Sequence, residues 1–131
     1  MDKEFVPYEI ALELKELGMD TPCFSSYDED GKLSRTYHTR YRMTKLNSNE
    51  IEGTIAPLYQ QAFRWFKEEK GLWGYIEPRD VGGHEAYIIH GRIGTEEESY
   101  WREVSRDLIE EGQGELECIK KMIELTKDKN E

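Results

Sequence analysis

PLYQQAFRWFKEEKGLWGYIE, residues 57 to 77, contains the change of hydrophobic period on which the reading of the fold depends. Pro57 has a fixed φ that suits the first position of a helix, and Gly71 suits the left-handed residue that stops one. Between them Leu58, Tyr59, Ala62, Phe63, Trp65 and Phe66 spread over a wide arc of a helical wheel. So wide an arc predicts a central helix over Pro57–Lys70, buried on more than one stripe. Beyond Gly71 the helical spacing stops. Leu72 to Glu77 and Glu85 to His90 read as two strands, and the loop-forming run from Pro78 to Gly83 joins them into a hairpin. Trp73, Tyr75, Tyr87 and Ile89 can form cross-strand pairs in that hairpin if the register brings them opposite.

Working upstream, Pro7 and Gly18 bracket a first helix, with Ile10, Leu14 and Leu17 on its apolar stripe. Asp28-Glu29-Asp30-Gly31 then reads as the turn of another hairpin, from Cys23–Tyr27 to a long strand over Leu33–Met43. In that strand Leu33, Tyr37, Tyr41 and Met43 alternate with Ser34, Thr36, His38, Arg40 and Arg42. A polar stretch from Asn47 to Gly53 leads back to Pro57. Downstream, Thr95 and Glu98 have the spacing of a capping box, and Trp101, Val104 and Leu108 continue a helical pattern to Gly112. A last helix is predicted over Glu115–Lys127, with Leu116, Ile119, Met122, Ile123 and Thr126 on one face and residues 127–131 frayed.

The predicted fold class is α+β: an antiparallel sheet of about four strands in two hairpins, covered on one face by a single layer of three to four helices. Residues 1–131 are expected to form one domain, with Ile10, Leu14, Phe63, Trp65, Phe66, Ile119 and Ile123 sharing its core. A chain of 131 residues should bury roughly two thirds of the surface it exposes when unfolded. Only 37% of it is apolar, but 3 Trp, 8 Tyr and 4 Phe bring large apolar areas.

Eighteen basic residues against 28 acidic ones give a net charge of −10, which repels nucleic acid and anionic membranes at long range. The start Met1-Asp2-Lys3-Glu4 lacks a signal-peptide pattern, and no apolar run approaches the ~18 residues of a membrane span. A cytoplasmic protein without membrane contact is expected. Cys23 and Cys118 lack metal-ligand or disulfide-framework spacing and are expected to be reduced thiols. His84 and His90, six apart on one strand, would lie roughly 20 Å from each other at ~3.3 Å per residue, too far to share a metal. No metal or cofactor is predicted.

Three segments, EFVPYEIALELKELGMDTPCF (4–24), APLYQQAFRWFKEEKGL (56–72) and ELECIKKMIEL (115–125), resemble short bacteriophage and prophage proteins of gut bacteria. They cover 49 of the 131 residues. The resemblance implies a mobile-element origin and carries no activity with it.

The most unusual local feature is KLSRTYHTRYRMTK, residues 32 to 45, with five cations and no acid. Without those five, the chain holds 13 basic against 28 acidic residues. Arg35, Tyr37, His38, Arg40, Tyr41 and Arg42 form the candidate binding strand, able to hold a phosphate backbone and stack a base. A protein partner or self-association is expected, and nucleic acid at most locally, at residues 32–45. Paired acids such as Glu68-Glu69 and Glu110-Glu111 read as solvated faces, and no catalytic motif occurs. A binding protein without catalytic residues is the leading expectation. The alternatives are an enzyme assembled only in three dimensions, with His38, His84 or His90 as base, and an acidic inhibitor that mimics nucleic acid.

Overall fold

The computed structural model describes residues 4–21, 25–33, 38–39, 42–43, 54–78, 84–94, 97–110 and 112–129. The protein is α+β, and its strands pair antiparallel. The chain forms two compact units, Met1–Ala62 and Phe63–Glu131.

In the first unit α1 spans Tyr8–Glu16 and buries Ile10, Ala11 and Leu14. Pro7 is extended at φ −61° and ψ 157°, so the helix begins at the residue after it. Its end is a Schellman motif. Gly18 at φ +99° donates its N–H to the Lys15 carbonyl, and the Met19 N–H reaches back to the Leu14 carbonyl. Met19 is buried, the apolar contact that accompanies this cap.

β1 (Ser25–Tyr27) enters the predicted turn, where Asp28 Oδ1 accepts the N–H groups of Asp30 and Lys32 at 2.9 Å. Gly31 supplies the positive φ of 81°. The strand that should follow is different from the prediction. Tyr27 bridges to Leu33, but β1 pairs along its length with β4 (Thr54–Ala56), setting Ser25 against Ala56 and Tyr27 against Thr54. The long strand Leu33–Met43 is replaced by the pair β2 (His38–Thr39) and β3 (Arg42–Met43), with His38 opposite Met43. The Tyr27 hydroxyl donates to the Val6 carbonyl, tying β1 to the chain ahead of α1.

α2 (Tyr59–Trp65) runs through the boundary between the units and widens into a π-helical turn, Phe66–Lys70, closed by Gly71 at φ +65°. The widening suits the sequence. Trp65 and Phe66 are neighbours and both buried, with their rings edge to face at 5.1 Å. Five residues on, the Lys70 ammonium lies 5.4 Å from the Trp65 ring, the i to i+5 contact of a π turn.

The second unit is built on the sheet β5 (Leu72–Pro78), β6 (His84–Ile93) and β7 (Tyr100–Glu110), in that order. The predicted hairpin of β5 and β6 is present, but its register opposes Trp73 to His90 and Tyr75 to Ile88. Trp73 and Tyr75 therefore lie on one face, and Tyr87 and Ile89 on the other. β7 occupies the place of the predicted third helix. Its pairing with β6 slips by one residue between Ile89 and His90, leaving Val104 as a bulge between Glu103 and Ser105. A bulge breaks the two-residue alternation, which is why apolar residues at 101, 104 and 108 imitate a helical spacing.

α3 (Gly114–Lys129) covers the face of Gly74 and Ile89, and runs two residues past its predicted end and into the stretch expected to fray. Cys118, Ile119, Met122, Ile123 and Thr126 are buried along it. Its start is fixed by Glu85, whose Oε1 accepts the N–H of Gly114 at 2.6 Å and that of Gly112 at 3.1 Å. A carboxylate there also meets the positive end of the helix dipole. Of the predicted core, Ile10 and Leu14 are buried in the first unit, while Trp65, Phe66, Ile119 and Ile123 are buried in the second and Phe63 is half-buried.

Candidate functional site

Alternation along β5 sorts its residues into two surfaces. Leu72, Gly74 and Ile76 turn toward α3, and Trp73 and Tyr75 turn away, 41% and 36% exposed. The register adds His90 and Arg92 of β6, and Trp101, Glu103, Arg106 and Leu108 of β7, to the Trp73 face. Ala86 and Ile88 form its buried floor.

Four rings meet on this face. Trp73 lies 5.7 Å from Tyr75 and 6.0 Å from both His90 and Trp101, centroid to centroid. The His90 imidazole is parallel to the Tyr75 ring within 6°, at 5.8 Å. Cations stand over the two tryptophans: Lys67 Nζ lies 5.6 Å from the Trp73 ring, and the Arg92 guanidinium 5.7 Å from Trp101. Each such contact stabilises by ~0.5–1 kcal/mol at an exposed site. Arg92 is held in place because its Nε donates to Ser99 Oγ at 3.0 Å. Arg106 is engaged by Glu103 at 3.2 Å.

His90 Nδ1 is buried and has no hydrogen-bond partner among the described residues. An imidazole without an acceptor on that nitrogen lacks the carboxylate that orients a triad-type general base. His84 and His90 share one face of β6, as the spacing predicts, opposite Glu110 and Glu103 respectively. Among the described residues no three His, Cys, Asp or Glu converge to hold a metal ion. Cys118 is a free thiol, buried beside the Met122 sulfur, and burial pushes its pKa up to about 12. A thiol so placed is inert as a nucleophile near neutral pH. Tyr87, on the α3 side, is also shifted upward, by burial first and by Asp107 to a smaller degree.

Arg35, Tyr37, Arg40 and Tyr41 of the candidate basic strand lie outside the described residues, as does Cys23. His38 and Arg42 fall in the β2–β3 pair. In one continuous strand positions 38, 40 and 42 would form a single row, but the observed pairing makes 38 and 39 the antiparallel partners of 43 and 42. Sequence reasoning does not single out the aromatic face, although its signal is there: Trp73-Gly74-Tyr75, with a glycine on the face a helix must approach.

Comparison of the chain with protein-family models, with curated proteins and with solved structures finds no match. No helix among the described residues is long and apolar enough to cross a membrane.

Proposed function

We propose that the chain is a small binding protein of phage or prophage origin, without catalytic activity, and that it holds a segment of a partner protein on the Trp73 face of its three-stranded sheet. The origin rests on the resemblance of residues 4–24, 56–72 and 115–125. The binding role is carried by one observation, the cluster of exposed Trp73 and Tyr75 with half-buried Trp101 beside His90. Tryptophan and tyrosine on a rigid sheet offer large contact area at little entropic cost, and they dominate the energy of protein interfaces. Helix α3 covers the opposite face.

The rim sets the chemistry of the occupant. Lys67 and Arg92 flank the tryptophans, so an aliphatic or proline-containing segment that also carries a carboxylate fits best. A nucleic acid would stack on the same rings, but it must approach a chain of net charge −10.

Selection of displayed random peptides on the wild type, in parallel with Trp73→Ala/Tyr75→Ala, tests the reading. The expected result is a consensus of apolar residues with an acid, enriched on the wild type and lost on the double variant. No consensus, or the same consensus on both, overturns it. Competition by oligothymidine would transfer the face to single-stranded nucleic acid.

A further inference from the structure

β7 is the outermost strand of its sheet, and it is long, with apolar side chains that ordinary edge strands avoid. Tyr100 is 56% exposed, Val104 43% and Leu108 57%. Its sequence, YWREVSRDLIE, has a property that pairing with β6 does not use. When a second β7 is laid antiparallel beside the first with Glu103 opposite Arg106, Arg102 falls opposite Asp107. Trp101 then falls opposite Leu108, and Tyr100 opposite Ile109. Each of these charges meets its opposite and each large apolar residue meets another.

The bulge makes this register sterically consistent. In antiparallel pairing, opposed residues must point to the same side of the sheet. A regular strand could not oppose 103 to 106 about a twofold axis, because an odd and an even position point to opposite sides. Beyond Val104 the parity of β7 is reversed. Trp101, Glu103, Arg106 and Leu108 all oppose even-numbered residues of β6, and Tyr100, Arg102, Asp107 and Ile109 all oppose odd-numbered ones. Each of the four complementary pairs thus lies on one side.

We propose that a second copy of this chain docks along β7, edge to edge about a twofold axis near Val104 and Ser105, making one antiparallel sheet of six strands. The contact is isologous, so each pair occurs twice and a single interface closes the assembly. The Arg106–Glu103 ion pair within one strand is exchanged for two between copies. The dimer goes beyond the proposed binding role and stands whether or not the Trp73 face holds a peptide. It would set two such faces side by side.

Charge exchange tests it. Full-length wild type, Glu103→Arg, Arg106→Glu and an equimolar mixture of the two variants are run in sedimentation velocity, with circular dichroism confirming the fold of each. The wild type is expected to dimerise and each variant alone to dissociate with a Kd raised about tenfold or more, since like charges then oppose each other twice. The mixture is expected to recover the dimer, because a copy with arginine at both positions 103 and 106 then meets a copy with glutamate at both. A monomeric wild type, a dimer indifferent to either single exchange, or a mixture that stays dissociated would each overturn the proposal. Loss of peptide selection with the dimer intact would instead reject only the role of the Trp73 face.

Discussion

Gly74 shows how closely α3 approaches the sheet. A Cβ at this position would lie 2.8 Å from Cys118 Sγ and 2.9 Å from Met122 Sδ, both in a packed interior. Gly74→Ala is therefore expected to destabilise the fold by ~1–3 kcal/mol through overpacking, read as a lower urea midpoint at unchanged slope. Glu85→Ala removes the acceptor for two N–H groups at the start of α3 and should cost ~0.5–2 kcal/mol, the range for losing a helix cap. Cys118 adds a dependence on pH. Its thiol is raised from an unfolded value of 9.0 to about 12, so below the unfolded value both states are protonated and the full stability is present. As pH rises from 9.0 toward about 12 the unfolded chain gives up its proton and the folded one keeps it, and stability falls. Chemical unfolding followed upward from neutral pH should show this decline, and Cys118→Ala should flatten it. The upward shift of Tyr87 acts in the same direction.

At the scale of elements, what the sequence reveals depends on how far each signal is local. Proline and glycine mark the ends of α1 and α2, and the Asp28–Gly31 turn is written in side chains that satisfy their own backbone. The hairpin of β5 and β6 is short-range and readable, but its register is not, because either face of β5 could be the apolar one until α3 selects that of Gly74. β7 imitates a helix for a definite reason: one bulged residue changes the spacing of its apolar positions, and Thr95 with Glu98 supplies a capping pattern. The partner of β1 is hidden because β4 is a distant three-residue strand, and sequence favours the neighbour across the nearest turn. The π turn has its own test. Phe66 is fully buried at the point where the helix widens, and Phe66→Ala should cost ~3–5 kcal/mol, measurable by thermal or chemical unfolding.

For the whole molecule, association and stability are linked. A dimer formed only by folded chains raises the apparent melting temperature as protein concentration rises. Calorimetry over roughly a hundredfold range of concentration should show that rise for the wild type and lose it in Glu103→Arg. The basic stretch of residues 32 to 45 is separable from this. Arg40→Gln together with Arg42→Gln is expected to leave the β7 dimer unchanged, and to weaken binding only if an anionic partner uses those cations, in which case added salt reproduces the loss. The class of fold is legible because it follows from segregated helical and strand periods. The aromatic face is not, because it exists only once three strands are in register.

The bulge at Val104 gives β7 one residue of slack. If one codon is lost within Tyr100–Glu110, the strand can straighten through the bulge. Only the positions between the lesion and Val104 then change partners, and the rest keep their places against β6. A deletion in β6 has no such reserve and would turn half of that strand inside out. Natural variation in chain length within this sheet should accordingly collect in β7, and loss of Val104 itself should be the mildest case, since every other pair survives it.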